Sequence, residues 1–334
     1  MTVRVAVDAL GGDRAPGEIV AGAAAAASPE IRPTLFGPPG LEAHGLPLVE
    51  CSESIAMDEP AVESVKTKAD SSLVRAVRAV AGGDAEAVVS AGNTGAMLAA
   101  SLLEIRRLPG VHRPAIAVVI PTRRGPSVLI DAGANADARP EHLLQFAHMG
   151  SVFAEEILGV PDPAVRLLSI GEEDEKGDQL ALEANELLRA SPIRFLGNTE
   201  GRTLLEGDAD VVVADGFTGN VALKTLEGTI KTLLSLLGDE LRSSLRGRVG
   251  GALIRPAAGR VRARLDPETY GGGYLLGLNG VAVIAHGSSS RAAIANAIRM
   301  AARGVEHRMV ERLQERLPSG VLASGRSTIP TPEK

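Results

Sequence analysis

Short runs of apolar residues, many of them β-branched, alternate along the chain with longer segments of helical period. Continuous apolar runs are typical of parallel strands that helices cover on both faces, so the short runs predict buried strands. The predicted strands are residues 3–7, 87–90, 115–120, 128–131, 166–170, 211–214 and 281–285. The predicted helices are residues 16–27, 71–81, 95–107, 140–158, 179–189, 221–245 and 288–313. This alternation predicts an α/β fold with a mostly parallel, doubly wound sheet.

The chain of 334 residues is long enough for one large α/β domain, with or without two lobes. We expect residues 1–317 to form this domain and to include a helical hairpin at residues 228–266. The tail 318–334 mixes Pro, Ser, Thr, Gly and charged residues, and we expect it to be disordered. The first apolar run lacks a basic leader, and no run of about 18 uncharged apolar residues occurs, so we expect a cytoplasmic protein.

Composition excludes several classes of function. Acidic residues number 41 and basic residues 35, so the net charge is −6, and aromatic residues make up 2%. A general nucleic-acid binder needs a basic excess and stacking aromatics, so no nucleic-acid partner is expected. Cys51 is the single cysteine, which argues against a disulfide and against a cysteine metal site. It lies before an acidic stretch, which argues against an activated thiolate. The six histidines are scattered, so no metal site is predicted.

Polar turns that contain glycine follow six of the predicted strands. Ligands of open α/β sheets bind outside the carboxyl ends of the strands, so these turns predict one binding pocket. Glycine lets backbone N–H groups approach an anion, and the next helix adds free donors and its positive dipole end. The candidate phosphate- or substrate-binding residues in these turns are Asp8, Gly11, Gly12, Asp13, Gly92, Asn93, Thr94, Gly95, Asp131, Asn135, Asp215, Thr218, Gly219 and Ser288. The alternative is that the Thr, Asn and Ser residues only cap helices.

Three common motifs are absent from the sequence. No G-x-G-x-x-G follows a strand, no G-x-x-x-x-G-K-[ST] occurs, and no G-x-S-x-G is present. The usual dinucleotide fingerprint, a P-loop and an acyl-serine hydrolase are therefore not predicted.

At the same turns the sequence resembles the PlsX family of bacterial phosphate acyltransferases. The matching stretches are Asp8-Ala-Leu-Gly-Gly-Asp13, Ser90-Ala-Gly-Asn-Thr-Gly-Ala96, Arg139-Pro-Glu-His-Leu-Leu-Gln-Phe146, Gly171-Glu-Glu173 with Lys176-Gly177, Gly197-Asn-Thr-Glu-Gly201, Asp215-Gly-Phe-Thr-Gly-Asn220 with Leu223-Lys-Thr-Leu-Glu-Gly228, and Gly277-Leu-Asn-Gly280 with His286-Gly-Ser-Ser-Ser290. The first turn has Ala-Leu where many members have Val-Met, a volume-neutral change that we expect to leave the site intact.

The resemblance implies a fold and an activity. The fold would be a three-layer α/β/α sheet like that of phosphotransacetylase and the isocitrate and isopropylmalate dehydrogenases, in a homodimer. The activity would convert acyl-acyl-carrier-protein and inorganic phosphate to acyl phosphate for phospholipid synthesis, with no metal or organic cofactor. The membrane glycerol-3-phosphate acyltransferase that uses acyl phosphate would be a partner. The resemblance also adds Asn198 to the candidate binding residues.

Three side chains are candidates for the chemistry. Lys176, after a strand end, is expected to neutralise phosphate or the developing oxyanion, and its alternative is to pair with the neighbouring glutamates. Asn220 is expected to donate to the reacting anion. His286 is expected to protonate the leaving thiolate, and its alternative is to cap the following helix. A covalent nucleophile is not required, because phosphate itself attacks the thioester.

Seven arginines and no acidic residue lie between Leu241 and Leu265. Leucines at helical spacing precede them, and a Gly250-Gly251 break predicts two helices that meet at an apolar tip. This hairpin suits an anionic membrane surface, the acidic carrier protein or a structural arm of a dimer. The expected contact residues are Arg242, Arg246, Arg248, Val249, Leu253, Ile254 and Arg255.

Two rival functions stay open on the sequence alone. One is a metal- and NAD-dependent hydroxy-acid dehydrogenase on the same fold, although neutral Asn, Thr and Gly turns suit an anion better than a cation. The other is a catalytically idle scaffold at the membrane, against which the polar strand-end turns argue.

Overall fold

The computed structural model describes residues 2–317 and contains an 11-stranded sheet. The strands are β1 Val3–Asp8, β2 Ile31–Gly37, β3 Leu48–Glu50, β4 Ala87–Ser90, β5 Ala115–Pro121, β6 Pro126–Ile130, β7 Val165–Leu168, β8 Phe195–Thr199, β9 Val211–Val213, β10 Gly273–Leu276 and β11 Val281–Ile284. Their order across the sheet is β3-β2-β1-β4-β11-β10-β5-β6-β9-β7-β8.

Helices cover both faces of the sheet, which gives three layers. The helices are α1 Gly17–Ala26, α2 Ala61–Thr67, α3 Ser72–Ala81, α4 Thr94–Glu104, α5 Pro140–Phe153, α6 Gln179–Arg189, α7 Gly216–Ser243, α8 Leu245–Leu265, α9 Arg291–Glu306 and α10 Met309–Arg316. Helices α1, α5, α6, α9 and α10 bury their apolar residues on one face, and α2, α3, α4 and the first turns of α7 on the other. The predicted fold class is confirmed.

The sheet reverses direction near its middle. Strands β1, β2, β3, β4 and β11 are mutually parallel, and so are β6, β7, β8 and β9. Between these halves β10 is antiparallel to both β11 and β5, and β5 is antiparallel to β6. The two parallel halves therefore point in opposite directions. We call the edge where β1, β4 and β11 end the first edge, and the edge where β6, β7 and β9 end the second edge.

All seven predicted strands are present, but four strands lacked a clear signal in the sequence. Strand β2 contains Pro33, β3 has three residues, and β10 begins at the third of three consecutive glycines, which read as a loop. The fourth is β8, which contains Gly197 and Asn198. These strands were missed because each is very short or contains a Pro, Gly or Asn residue that disfavours strands.

Helices α7 and α8 form a hairpin that projects from the sheet. Helix α7 has 28 residues and buries only Gly216, Gly219 and Leu223, and α8 buries none. The turn lies at Ser244, whose hydroxyl accepts the Gly247 N–H at 3.0 Å, so a break at Gly250-Gly251 was a wrong prediction. Those glycines lie inside α8, where Gly251 packs toward Leu241 of α7 and lets the two helices approach. The predicted tip residues Val249, Leu253 and Ile254 therefore lie along α8.

No helix among residues 2–317 is both long and apolar enough to cross a bilayer.

Candidate functional site

Three loops meet at the first edge, residues 8–13 after β1, 91–95 after β4 and 286–290 after β11. The Asp13 N–H donates to the carbonyl of Gly287 at 2.8 Å, and Gly12, with φ +108°, lies against the same carbonyl. A Cβ atom on Gly11 would lie 2.7 Å from the nitrogen of Gly92, closer than real Cβ atoms approach. The glycines thus let the three loops pack backbone against backbone.

Asp8 fixes the base of these loops. Its carboxylate is buried and accepts hydrogen bonds from the hydroxyls of Ser72 at 2.6 Å and Ser90 at 2.7 Å. Burial raises the pKa of Asp8 above its ordinary value, and these hydrogen bonds oppose the rise. The Ser90 hydroxyl in turn accepts the N–H of Gly92 at 3.0 Å. Asp8 therefore orients the loops and does not face an anion. Sequence reasoning missed Ser72, whose only signal was its place in the first turn of the helix predicted at residues 71–81.

The N-terminus of α4 keeps two free donors. Asn93 caps this helix by accepting the Ala96 N–H at 3.0 Å, and its amide group donates to the carbonyls of Met57 and Glu59. Capping, the alternative role, therefore occupies the Asn93 side chain. The N–H groups of Thr94 and Gly95 have no acceptor among the described residues, because the first turn of a helix lacks intrahelical partners. Thr94 is exposed, so these donors face solvent.

Two other helices that follow candidate loops, α7 and α9, have occupied N-termini. In α7 the Asp215 carboxylate accepts the N–H groups of Phe217 and Thr218, both at 2.9 Å, and the Gly216 N–H donates to Asn135. In α9 the Glu18 carboxylate accepts the Arg291 N–H at 2.7 Å and pairs with its guanidinium. Carboxylates already hold the place an anion would take at both helices. Of these three helices, α4 alone offers an open anion site within residues 2–317.

His286 and Ser288 border the same edge. The Ser288 N–H donates to His286 Nδ1 at 3.2 Å, and the Ser288 hydroxyl lies 2.9 Å from that atom. Because Nδ1 accepts a backbone N–H, the neutral ring carries its proton on Nε2. The ring is exposed, and Nε2 has no partner among the described residues. This arrangement suits a group that donates a hydrogen bond from Nε2.

At the second edge, the polar groups mostly satisfy one another. Asp131 is fully buried and accepts the backbone N–H groups of Ile116, Gly133, Ala134 and Asn135 together with the Asn135 amide. Gly219 packs so closely that a Cβ atom there would lie 2.0 Å from the Asp131 carbonyl oxygen. The Asn220 amide donates to the carbonyl of Ala132 at 3.0 Å, and Thr218 is exposed with no hydrogen bond to its hydroxyl. The Asn220 amide thus holds this turn to α7.

The loop 171–177 also ends at the second edge. Asn198 is buried, donates to the carbonyls of Glu173 and Lys176, and accepts from Asn185, so it holds the loop in place. Lys176 is exposed, and its ammonium group pairs with no carboxylate among residues 2–317. The alternative of an ion pair with its neighbouring glutamates is therefore not formed here.

The prediction of one pocket shared by all six turns is wrong, because the sheet reverses. The turns after β1, β4 and β11 lie at the first edge, and those after β6, β7 and β9 lie at the second edge. Lys176, Thr218 and Asn220 therefore do not share an edge with Thr94 and His286. The reversal comes from the antiparallel pairing of β5 with β6, because β10 is antiparallel to both of its neighbours and leaves β11 and β5 pointing the same way.

At neither edge does the described part of the chain place a reactive cysteine or a cluster of metal-binding side chains. Cys51 is buried, and burial raises the pKa of its thiol to about 11, so the thiolate is scarce at neutral pH. No group of three or more His, Cys, Asp or Glu side chains in the described part of the chain is placed to hold a metal ion.

Known proteins are similar in sequence to this chain over nearly its whole length. The profile of a family described as "Fatty acid synthesis protein" matches residues 3–312. A phosphate acyltransferase of Heliobacterium modesticaldum is 48% identical over 332 residues, which cover 96% of this chain and 99% of that protein. A phosphate acyltransferase of Thermosynechococcus vestitus is 47% identical and covers 93% of this chain and 94% of that protein. This chain belongs to the phosphate acyltransferase family.

Membership confirms the resemblance to the PlsX family and the predicted enzyme class. A branched-chain phosphotransacylase from Enterococcus faecalis V583 shares the fold, with a TM-score of 0.60 and 18% sequence identity over 92% of this chain and all of that one. The relatives do not favour the alternative of a hydroxy-acid dehydrogenase.

The hydrogen bond that Asn220 donates to the carbonyl of Ala132 leads to a testable prediction. Asn220→Ala leaves the buried carbonyl of Ala132 without its donor, so we expect the free energy of unfolding to fall by about 1–3 kcal/mol. Urea denaturation measures this loss. Thr218→Ala, which removes an unpartnered hydroxyl two residues away, is the control and should leave stability unchanged. Unchanged stability of Asn220→Ala together with lost turnover would contradict the structural role.

Proposed function

We propose that this protein transfers the acyl group of acyl-acyl-carrier-protein to inorganic phosphate, and that the product acyl phosphate feeds phospholipid synthesis. The observation that carries the proposal is the open N-terminus of α4, beside two packed glycine loops and the Nε2–H of His286. Family membership supports acyl transfer with phosphate. Phosphate binds at the N–H groups of Thr94 and Gly95, where the helix dipole favours negative charge.

The reaction needs no enzyme nucleophile. A phosphate oxygen attacks the thioester carbonyl, and the carbon–sulfur bond breaks as the tetrahedral intermediate collapses. The carrier's thiolate leaves as His286 Nε2–H donates a hydrogen bond to it, and the thiolate then takes its proton from solvent. Rigid loops hold phosphate near the carbonyl, and fixing two reactants in this way supplies roughly 7–11 kcal/mol of the barrier reduction.

The projecting hairpin formed by α7 and α8 supports peripheral binding of the protein to the cytoplasmic face of the membrane. Leu245, Val249 and Leu253 recur every four residues on α8, and their side chains are 78%, 56% and 78% exposed. Arg246, Arg255, Arg260 and Arg262 flank them without an acidic partner among the described residues. An apolar row with basic flanks suits the surface of an anionic bilayer. There the enzyme would pass acyl phosphate to the membrane glycerol-3-phosphate acyltransferase.

The reaction class has a direct test. With acyl-carrier-protein thioester as substrate, release of the carrier thiol should require inorganic phosphate, and acyl phosphate should form in equal amount. A thiol reagent and trapping of acyl phosphate by hydroxylamine measure the two products. Equal thiol release in phosphate-free buffer, with free fatty acid as product, would show a thioesterase and overturn the proposal.

The phosphate site can be tested at a single backbone N–H. Thr94→Pro removes one N–H at the first helical position, where proline is well tolerated. The backbone of Asn93, with φ −56° and ψ 114°, lies outside the helical region that proline disfavours in the residue before it. We expect the KM for phosphate to rise about 10- to 100-fold, the value of a hydrogen bond to a charged group. Thr94→Ala keeps the N–H and is the control for the lost hydroxyl. An unchanged KM in Thr94→Pro places phosphate elsewhere.

The membrane proposal is tested on α8. Val249→Asp with Leu253→Asp removes apolar burial and adds like charge, so binding to anionic vesicles should be lost in co-sedimentation. Leu103→Asp changes a half-exposed leucine on α4 and should bind vesicles normally. A shift from dimer to monomer in gel filtration with unchanged vesicle binding would show that the hairpin is a structural arm.

A further inference from the structure

An exposed methionine lies between two of the loops that meet at the first edge. Met57 belongs to the segment 51–60 that joins β3 to α2, and it is 46% exposed. A Cβ atom on Gly287 would lie 3.1 Å from the Met57 methyl carbon, so this methyl group contacts the loop that carries His286. The Asn93 amide donates to the Met57 carbonyl at 3.0 Å, which places the same residue beside the N-terminus of α4.

The start of α2 continues this apolar surface. Ala61 packs against α4, because a Cβ atom on Gly95 would lie 3.0 Å from the Ala61 Cβ atom. Val62 follows Ala61 and is 55% exposed. The open concave surface at this helix has a volume of about 610 Å³, within the range of small-molecule sites, and is lined by Pro60, Ala61, Val62, Glu63, Lys66 and Thr67. Apolar groups therefore extend from the first edge out onto α2.

Hydrogen bonds fix the backbone that carries these side chains. Glu59 pairs with Lys68 at 2.6 Å and accepts the hydroxyl of Ser64 at 2.9 Å. The Asn93 amide also donates to the Glu59 carbonyl at 3.1 Å. Apolar side chains on a fixed backbone form a binding surface that needs little ordering when a ligand arrives.

The substrate of the proposed reaction brings an alkyl chain to this place. The chain is bonded directly to the carbonyl that phosphate attacks, so it begins beside the N-terminus of α4. The exposed residues of the three first-edge loops are polar and cannot shield an alkyl chain from water; they are Asp13, Thr94, His286 and Ser288. Met57 supplies apolar contact there, and its flexible, unbranched side chain adapts to chains of different length.

Charge disfavours other occupants of this surface. The segment 56–67 contains three carboxylates and one lysine, namely Asp58, Glu59, Glu63 and Lys66. An anionic bilayer or the acidic carrier protein would be repelled by this acidic excess. A neutral alkyl chain is not repelled.

We propose that Met57 and Val62 bind the alkyl chain of the acyl group and set the enzyme's preference for chain length. This inference rests on the function proposed above. The two side chains contact successive parts of the chain, Met57 beside the thioester and Val62 further along. A four-carbon butyryl group therefore gains little from Val62, whereas a palmitoyl group contacts both residues.

Chain-length dependence tests the proposal. Val62→Asp places an acid in the first turn of α2, where the helix dipole tolerates it, and makes this part of the surface polar. We expect kcat/KM for palmitoyl-carrier protein to fall about 10-fold or more, since contact with each methylene is worth a factor of about 4. With butyryl-carrier protein, kcat/KM should change by less than about 2-fold, because one methylene contact at most is lost. The KM for phosphate should stay unchanged with both substrates.

Matched variants separate chain binding from other roles. Met57→Ala should lower kcat/KM for palmitoyl-carrier protein more than for butyryl-carrier protein, and Met57→Leu should keep both. Leu103→Asp makes the same kind of change on a half-exposed leucine of α4 and should leave the preference as in the wild type. Circular dichroism checks that each variant is folded. Equal losses for both chain lengths in folded Val62→Asp would overturn the proposal.

Binding of the chain can also be observed without turnover. Cys51 is buried and its thiol has a pKa of about 11, so an environment-sensitive fluorophore reacts selectively with the exposed thiol of Val62→Cys. In phosphate-free buffer, palmitoyl-carrier protein should shift the emission to shorter wavelength, and free carrier protein should not. A shift with free carrier protein would show that the carrier itself covers Val62, and this result, or no shift with either, would contradict chain binding.

The outcomes distinguish this inference from the function on which it rests. If the wild-type enzyme shows no phosphate-dependent thiol release with either chain length, the proposed function fails. If it shows such release and the Val62 and Met57 variants keep the wild-type ratio of kcat/KM for the two substrates, the failure is limited to this inference.

Discussion

Strands β10 and β5 form antiparallel ladders between two parallel halves of the sheet, and this reversal decides which loops share an edge. In an open parallel sheet, all polar strand-end loops meet on one side. Here three loops meet at each of two opposite edges, so the same sequence signal produces two different environments. At the first edge backbone donors are left free, whereas at the second edge most donors are used to hold the fold together.

A helix N-terminus can bind an external anion only where its first N–H groups have no acceptor within the chain. Glycine-containing turns precede α4, α7 and α9 alike, yet Asp215 and Glu18 occupy the N-termini of α7 and α9. An internal carboxylate satisfies the same N–H groups and dipole that phosphate would, so such a helix end has little left to offer an anion. Asn93 caps α4 with a neutral amide oxygen and leaves the two preceding N–H groups open. Within residues 2–317, α4 is therefore the one of these three helices whose first two N–H groups both stay open, and this is where we propose that phosphate binds.

Much of the fold was predictable, because strands with continuous Val and Ile runs and helices with long apolar periods carry strong signals. The short strand β10 was not, since Gly273 and its glycine neighbours read as a loop. For the site, the sequence identified the loops that contain Asp8, Asn93 and His286. It did not separate donors that face solvent from those that hold turns, such as the amides of Asn198 and Asn220. That difference depends on long-range contacts that spacing does not encode.

The first edge suits the direct attack by phosphate that we propose better than it suits covalent catalysis. Ser72 and Ser90 direct their hydroxyls to the buried carboxylate of Asp8, so neither is available as a nucleophile. The thiol of Cys51 is buried and has a raised pKa, which removes it as well. What the edge offers instead is rigidity, because the glycines bring three loops into backbone contact. A fixed set of N–H donors needs no reorganisation as charge develops, and in such a site positioning and electrostatics replace the acyl-enzyme intermediate.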